Sequence, residues 1–257
     1  MSVPYRPRRL PALAVFLTLS CLASASLWAD IYDDAVAHAG RPDHDLKRDA
    51  IDQPAQILRH SGIRPGWVVG DFMAADGYYS ELVSYIVGPH GHVYLLNNTA
   101  YDDWSENRWK ERVARLANVE HRTEDFERLD LKPRSLDAIL MIKVYHDLYW
   151  VDNDPKDHWP KFNVDRVLRE VSRVLKTGGI LVVEDHSAKP GTGTSAAGEL
   201  HRIDEAYTLA EFQKHGFKLI DKVDVLRRPD DARDQITYKG PMVGKTDRFV
   251  LVFQKVD

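Results

Sequence analysis

The stretch Val68–Val87, VVGDFMAADGYYSELVSYIV, decides the fold of this chain. An apolar run ends at Asp71, small residues lead to Gly77, and an amphipathic segment follows. A second apolar run, within Gly91–Asn98 (GHVYLLNN), then ends in two asparagines. This order predicts a strand, a tight turn, a helix and a second strand, the unit that holds an adenosine-type cofactor in doubly wound α/β folds.

The rest of the chain alternates strand and helix patterns. Apolar strand patterns lie at Trp67–Asp71, His92–Leu96, Val119–Arg122, Leu136–Lys143, Ile180–Glu184, Lys218–Val225 and Arg248–Gln254. Helical patterns between them lie at Gly77–Val87, Ser105–Ala117, Val164–Leu175 and Asp204–His215. The alternation predicts an α/β fold, a doubly wound Rossmann-like sheet of seven mostly parallel strands. No helical pattern joins the last two strands, so we expect one antiparallel edge strand.

Composition and charge limit the possible functions. The chain has 257 residues, with 35 Lys and Arg against 39 Asp and Glu. This length suits one sizeable core, and we expect residues 30–257 to form a single domain with 30–53 as a helical lead-in. No long basic stripe occurs, so we expect no nucleic-acid partner.

The N-terminus predicts export. Three arginines among residues 1–9 precede the uncharged run Leu10–Ala29, which ends in small residues. This pattern is typical of a secretory signal peptide, here residues 1–29, and implies a periplasmic or secreted protein with no membrane attachment beyond that segment. Cleavage after Ala25 or after Ala29 stays open, with Ala29 preferred. The alternative is an uncleaved anchor, because about 20 apolar residues span a bilayer.

Four segments share the pattern of one enzyme family. They are Val68–Ser80, Leu136–Trp150, Val167–Asp185 and Gly244–Phe249, and the third combines a helix, Lys-x-Gly-Gly and a buried strand. Together they resemble class I S-adenosylmethionine-dependent methyltransferases, most closely exported predicted methyltransferases, over Pro54–Val256. The resemblance implies S-adenosylmethionine as the cofactor and a small molecule as the methyl acceptor.

The predicted cofactor turn departs from the family pattern. The family motif resembles Asp/Glu-x-Gly-x-Gly-x-Gly, and the matching positions here are Asp71, Met73, Ala75 and Gly77. Two of the three glycines are therefore replaced, and a β-carbon is unfavourable wherever the backbone needs a positive φ. We expect Asp71, Ala75 and Gly77 to shape the cofactor site, with Met73 interfering.

The predicted ribose contact also departs from the family pattern. Where relatives place an acid at the end of the second strand, this chain has Asn97 and Asn98. An amide accepts a hydrogen bond but lacks the charge of a carboxylate. Two functions stay open: an exported methyltransferase acting on an unknown small molecule, or a non-catalytic ligand-binding protein with a degenerate cofactor site on the same scaffold.

The loop after the fourth strand carries the candidate catalytic residues. Tyr145, His146 and Asp147 follow that strand, and this loop faces the donor and acceptor in the fold. We expect His146 to act as a general base, with Tyr145 and Asp147 beside it. The alternative is a packing role, in which Tyr149 and Trp150 contact the next helix and His146 caps a turn.

A second group of polar residues follows the fifth strand. His186, His201 and Asp204 are expected to reach the same edge of the sheet and to line the acceptor side. No histidine pair has the His-x-x-x-His spacing of a helix-borne metal site, so we expect no metal ligands. Hydrogen bonds that order the loop Gly191–Ser195 are the expected role of this group.

Overall fold

The computed structural model describes Met1, residues 31–151 and residues 159–256, and its centre is one seven-stranded sheet. The strands are β1 (Val68–Phe72), β2 (His92–Asn97), β3 (Val119–Thr123), β4 (Leu136–Ile142), β5 (Leu175–His186), β6 (Phe217–Val223) and β7 (Arg248–Lys255). The helices are α1 (31–36), α2 (Asp43–Asp52), α3 (Pro54–Ser61), α4 (Tyr78–Val87), α5 (Thr99–Trp104), α6 (Trp109–Val113), α7 (Val164–Val174), α8 (Ala197–Leu200) and α9 (Glu205–Lys214). Short 3₁₀ helices lie at Gly88–His90, His146–Tyr149 and Gly240–Met242. The predicted signal segment and its candidate cleavage sites lie outside the described residues.

The strand order is β3-β2-β1-β4-β5-β7-β6. The first five of these strands pair in parallel, whereas β7 pairs antiparallel with both β5 and β6. The predicted doubly wound, mostly parallel sheet is confirmed, and its antiparallel strand β7 lies between β5 and the edge strand β6. The chain reverses direction across the sheet between β1 and β4, and open α/β sheets bind ligands outside the strand ends at such a point.

The helical region after β2 differs from the prediction. In place of one helix over Ser105–Ala117, two short helices form, α5 and α6. Glu106 and Asn107 between them have φ values of 52° and 54°, a left-handed conformation that ends a helix. The helix also begins earlier, because the side chain of Asn98 accepts a hydrogen bond from the backbone N–H of Tyr101 and caps α5.

The hydrophobic core lies on both faces of the sheet. Ile139 and Leu140 are neighbours on β4, and they belong to two separate apolar clusters because successive strand residues face opposite sides. Leu168 of α7 contributes to one cluster and Leu82 of α4 to the other, and both are fully buried. Within the described part of the chain, no helix has both the length and the apolar character needed to cross a membrane.

Candidate functional site

The turn between β1 and α4 has left-handed backbone at three alternate positions. The φ angle is 53° at Met73, 53° at Ala75 and 82° at Gly77. A β-carbon at Gly77 would lie 2.5 Å from the Cδ1 atom of Leu95, so only glycine fits there without displacement. Met73 and Ala75 hold the left-handed conformation with a β-carbon, at a cost of about 1–2 kcal/mol each. The two glycine replacements have therefore not prevented this turn from forming.

Two buried polar side chains hold the turn. Asp71 at the end of β1 accepts a hydrogen bond from Ser80 Oγ at 2.6 Å, and burial raises the pKa of its carboxyl to about 6. Asn97 accepts from the backbone N–H of Ala75 at 2.9 Å, donates to the carbonyl of Ala75 at 2.9 Å, and donates to Asp102 at 2.9 Å. The amide of Asn97 is thus engaged within the protein and fixes the shape of the turn.

Met73 directs its side chain into the protein. It is only 2% exposed and belongs to the same apolar cluster as Tyr101 and Leu148. Its thioether therefore packs among core side chains at the end of β1. Side chains of the predicted cofactor turn and of the loop that follows β4 thus belong to one apolar cluster.

A cavity of about 430 Å³ lies at the carboxyl ends of β2 and β3. It is lined by residues 98–100 and 123–127 together with Pro160 and Phe162. Asn98 Oδ1 accepts from the backbone N–H of Tyr101 at 2.8 Å, whereas its Nδ2 is buried and has no hydrogen-bond partner among the described residues. A buried amide donor without a partner is costly. An acceptor atom of a bound ligand would satisfy it, and the ribose contact of Asn98 stays a prediction.

Side chains from the ends of β4 and β5 and from the end of α8 meet in what we call the histidine cluster, formed by His146, Asp147, Asp185 and His201. His146 Nδ1 lies 2.7 Å from Asp185 Oδ1. His146 Nε2 lies 3.1 Å from Asp147 Oδ1 and 3.2 Å from His201 Nδ1. The hydroxyl of Tyr101 donates to Asp147 Oδ2 at 2.8 Å. Two predicted catalytic residues and one predicted acceptor-side residue are therefore in contact.

The charges around His146 determine its protonation. Burial favours the neutral imidazole, but the carboxylates of Asp147 and Asp185 outweigh burial and raise the pKa of His146 to about 10. Burial likewise opposes the charge of Asp147, yet His146 and the hydrogen bonds from His201 and Tyr101 hold the pKa of Asp147 well below its usual range. In this arrangement the side chain of His146 is the positively charged imidazolium at neutral pH. The general-base role of His146 stays a prediction.

Tyr145 and His186 have other partners. The hydroxyl of Tyr145 lies 2.9 Å from that of Tyr149, and Tyr145 is fully buried. His186 Nδ1 lies 2.8 Å from Thr246 Oγ1, and burial lowers the pKa of His186 well below its usual value. The ring of His186 is centred 6.2 Å from that of His146, so it borders the histidine cluster.

Asp204 holds the loop that precedes it. Its Oδ1 accepts from the backbone N–H of Ala206 and caps α9, and its Oδ2 accepts from the backbone N–H of Gly191 at 2.6 Å. These contacts fit the expected ordering of the loop Gly191–Ser195.

The sequence analysis missed a second charged cluster at the same end of the sheet. Asp52 at the end of α2 contacts Arg48 at 2.6 Å, Lys143 at 2.8 Å and Arg248 at 2.7 Å. Arg248 also donates to Glu184 at 2.7 Å, and burial lowers the pKa of Lys143. The charged residues at the ends of apolar strands were the feature of the sequence that could have indicated this cluster. The cluster fixes the lead-in helix α2 to β4, β5 and β7.

Comparisons with known proteins agree with this architecture. Residues 87–183 match a family model described as a methyltransferase domain. A SAM-dependent methyltransferase from Aquifex aeolicus is 20% identical, with a TM-score of 0.59 over 86% of this chain and 97% of that chain. Geranyl diphosphate C-methyltransferase from Streptomyces coelicolor A3(2), solved with Mg²⁺, geranyl-S-thiolodiphosphate and S-adenosyl-L-homocysteine, is 15% identical, with a TM-score of 0.57 over 86% of this chain and 84% of that chain.

A putative sarcosine dimethylglycine methyltransferase from Galdieria sulphuraria is 14% identical, with a TM-score of 0.56 over 89% of this chain and 98% of that chain. No curated protein matches the sequence. At these identities the structural similarity establishes the fold. Residues 87–183 thus match a methyltransferase domain model, and the sheet has the same fold as the SAM-dependent methyltransferase from Aquifex aeolicus.

Proposed function

We propose that this protein binds S-adenosylmethionine between the β1–α4 turn and the cavity at the ends of β2 and β3, and transfers its methyl group to a small molecule. The observation that carries the proposal is the left-handed backbone at Met73, Ala75 and Gly77, the three positions that are glycine in the family motif. The turn keeps this conformation although two of the glycines are replaced.

The cavity next to that turn suits a nucleoside. Asn98 Nδ2 is a buried donor that lacks a partner among the described residues, and a ribose hydroxyl or a ring nitrogen is a suitable acceptor. Glu124 and Asp125 line the same cavity and supply carboxylates that accept hydrogen bonds from hydroxyl or amino groups. Phe126 and Phe162 contribute aromatic surface to the lining. These residues fit the cofactor at its nucleoside end.

The protein's part in the reaction is mainly positioning. S-adenosylmethionine, when bound, would supply a methyl group from its positively charged sulfonium, and the remainder of the cofactor would leave as a neutral thioether. The residues of the chain then need to orient the acceptor and exclude water. Tyr101 connects the two regions, because Asn98 bonds its backbone N–H and Asp147 accepts from its hydroxyl. The histidine cluster is therefore the group of side chains suited to orient the acceptor.

Calorimetric titration of the purified protein with S-adenosylmethionine and S-adenosylhomocysteine tests the proposal. We expect dissociation constants of about 1–100 μM, or about −5 to −8 kcal/mol. Asn98→Ala removes both the cap of α5 and the unpaired donor, and should weaken binding about 5- to 30-fold. Asn163→Ala is the matched control, because Asn163 caps α7 in the same way. It should leave the affinity unchanged.

Absence of heat at millimolar ligand, from a folded sample, would refute the proposal. The same outcome would support the alternative of a ligand-binding protein on a methyltransferase scaffold. Equal weakening by the two asparagine variants would show that a general loss of stability on removal of a helix cap, rather than contact with the ligand, explains the effect of Asn98→Ala.

We also propose that the protein is exported, on the basis of the basic and apolar pattern of residues 1–29. The intact mass of the protein recovered from the periplasm or medium should correspond to a chain starting at Ser26 or at Asp30. Recovery of the uncleaved chain from the membrane fraction would indicate an anchor, and recovery from the cytosol would contradict export.

A further inference from the structure

We propose that His146, Asp147 and His201 bind one divalent transition-metal ion of the zinc class. The sequence spacing led us to expect no metal ligands, because these residues form no short motif. The fold brings them together at the end of the sheet, where the loop after β4 meets the end of α8.

The distances between the three ligand atoms fit a metal centre. His146 Nε2 lies 3.1 Å from Asp147 Oδ1 and 3.2 Å from His201 Nδ1, and the latter two atoms are 3.4 Å apart. Ligand atoms bonded at about 2.0–2.1 Å to an ion are about 2.8–3.0 Å apart in an octahedral centre and about 3.3–3.4 Å apart in a tetrahedral one. The spacing of the three atoms therefore suits contact with one ion.

Hydrogen bonds alone satisfy this triangle poorly. His146 Nε2 faces an oxygen of Asp147 and a nitrogen of His201, and a single proton on Nε2 serves only one of them. If both imidazoles donate to Asp147, two N–H groups face each other at 3.2 Å. A cation removes this conflict, because it binds the lone pairs of both nitrogens and of the carboxylate.

The surrounding contacts resemble those that support metal ligands. Asp185 is fully buried and accepts from His146 twice, at 2.7 Å from Nδ1 and at 2.9 Å from the backbone N–H. This holds a proton on Nδ1, so that Nε2 binds a metal once the ion displaces the proton of Nε2, the arrangement common in zinc proteins. Tyr101 donates to Asp147 Oδ2 at 2.8 Å and orients the carboxylate in the same way.

The backbone at His201 ends α8. Its φ angle is 51°, the left-handed conformation that commonly ends a helix. The ring of His201 lies 5.2 Å from that of His146, centre to centre.

The donor set indicates the class of ion. Two imidazole nitrogens and one carboxylate oxygen suit Zn²⁺ and its first-row neighbours, whereas Mg²⁺ and Ca²⁺ prefer oxygen ligands alone. Three protein ligands leave at least one coordination position open. An oxygen or nitrogen of the methyl acceptor can occupy this position. That assignment rests on the proposed function, whereas the metal site itself does not.

A second group of possible ligands provides the control. His44, Asp45 and Asp76 also lie close together, but both carboxylates already contact Arg112, at 2.6 Å and 3.4 Å. The guanidinium of Arg112 thus already neutralises these carboxylates, and His44 is largely exposed. We expect no tight binding of a metal ion at this second group.

The test is titration of the chelator-treated purified protein with Zn²⁺ by calorimetry and with Co²⁺ by visible absorption. We expect one equivalent to bind, with the intense visible bands of a Co²⁺ ion bound to nitrogen in low symmetry. His201→Gln or Asp147→Asn should reduce the Zn²⁺ affinity at least about 100-fold, and Asp185→Asn about 10- to 100-fold. His44→Gln should leave it unchanged.

Absence of binding to the folded wild-type protein would overturn the inference, and so would loss of binding in His44→Gln with retention in His201→Gln. Circular dichroism and thermal unfolding establish that each variant is folded. S-adenosylmethionine is titrated separately into the same samples. Zn²⁺ binding without cofactor binding would refute the methyltransferase proposal alone, and the reverse result would refute the metal site alone.

Discussion

Substitution of Gly77 by alanine tests whether the β1–α4 turn is as constrained as its geometry indicates. The new β-carbon would lie 2.5 Å from Leu95 Cδ1 and 3.2 Å from Arg112 Cδ, on a backbone with φ of 82°. Neither neighbour can move cheaply. Leu95 is fully buried on β2, and Arg112 is held by the carbonyl of Asp76 at 2.7 Å and by buried carboxylates.

The expected loss of stability combines two costs. The left-handed conformation costs an alanine about 1–2 kcal/mol, and overpacking of a closed site costs about 1–3 kcal/mol more. Alanine has less conformational freedom than glycine in the unfolded chain, which stabilises the folded state by about 0.4–1 kcal/mol and offsets part of this cost. We therefore expect Gly77→Ala to lower the free energy of unfolding by about 2–4 kcal/mol.

Gly62→Ala separates the two costs. Gly62 also has a left-handed φ, of 65°, but a β-carbon there would meet no atom within 4 Å. Urea unfolding of both variants at equal m-values should show Gly77→Ala to be less stable than Gly62→Ala by about 1–3 kcal/mol. Equal losses in the two variants would refute the steric argument and show that the turn can relax around a side chain.

Three further predictions address the cofactor turn and the charged clusters. Asn98→Asp should tighten S-adenosylmethionine binding about fivefold by calorimetry, because a carboxylate accepts a charge-assisted hydrogen bond from a ribose hydroxyl, which is stronger than the neutral bond that the amide donates; an unchanged affinity would contradict this placement of the cofactor. Burial raises the pKa of Asp71 from 3.8 to about 6, so the folded state binds the proton more tightly than the unfolded state. The stability that this group contributes is therefore lost as the pH rises from about 4 to about 6. Asp71→Asn should therefore gain about 2–3 kcal/mol relative to wild type between pH 4 and pH 7 in urea unfolding, and a constant difference would show that the carboxyl titrates normally. Arg248→Gln leaves two buried carboxylates without the guanidinium that contacts each at 2.7 Å, and should cost about 3–5 kcal/mol in the same assay, whereas a loss below about 1 kcal/mol would mean that solvent reaches them.

The fold was predictable because its signals repeat along the whole chain. Each strand is an apolar run bounded by turn residues, and each crossover between parallel strands needs a connecting segment long enough to contain a helix. The missing helical pattern before Arg248 indicated an antiparallel strand, which is β7. The boundaries after β2 were wrong because the left-handed residues Glu106 and Asn107 carry no glycine to mark the break.

Roles of individual side chains were less predictable, because neighbouring polar residues differ only in direction. Asn97 ends β2 and Asn98 follows it, and the sequence predicted a ribose contact for either of them. The structure turns Asn97 inward onto the backbone of Ala75 and leaves Asn98 at the cavity. Tyr145 and His146 are adjacent in the same way, yet one bonds Tyr149 and the other bonds Asp185. Adjacent side chains point in different directions, and this direction decides the role of each residue.

Tyr101 joins the cavity at the ends of β2 and β3 to the histidine cluster. Its backbone N–H is bonded by Asn98, which lines the cavity, and its buried hydroxyl is bonded by Asp147, which belongs to the histidine cluster. A ligand that engages Asn98 therefore acts on the residue that orients Asp147. Because Asp147 contacts both His146 and His201, the contents of the cavity and the geometry of the cluster are connected through three successive hydrogen-bonded residues.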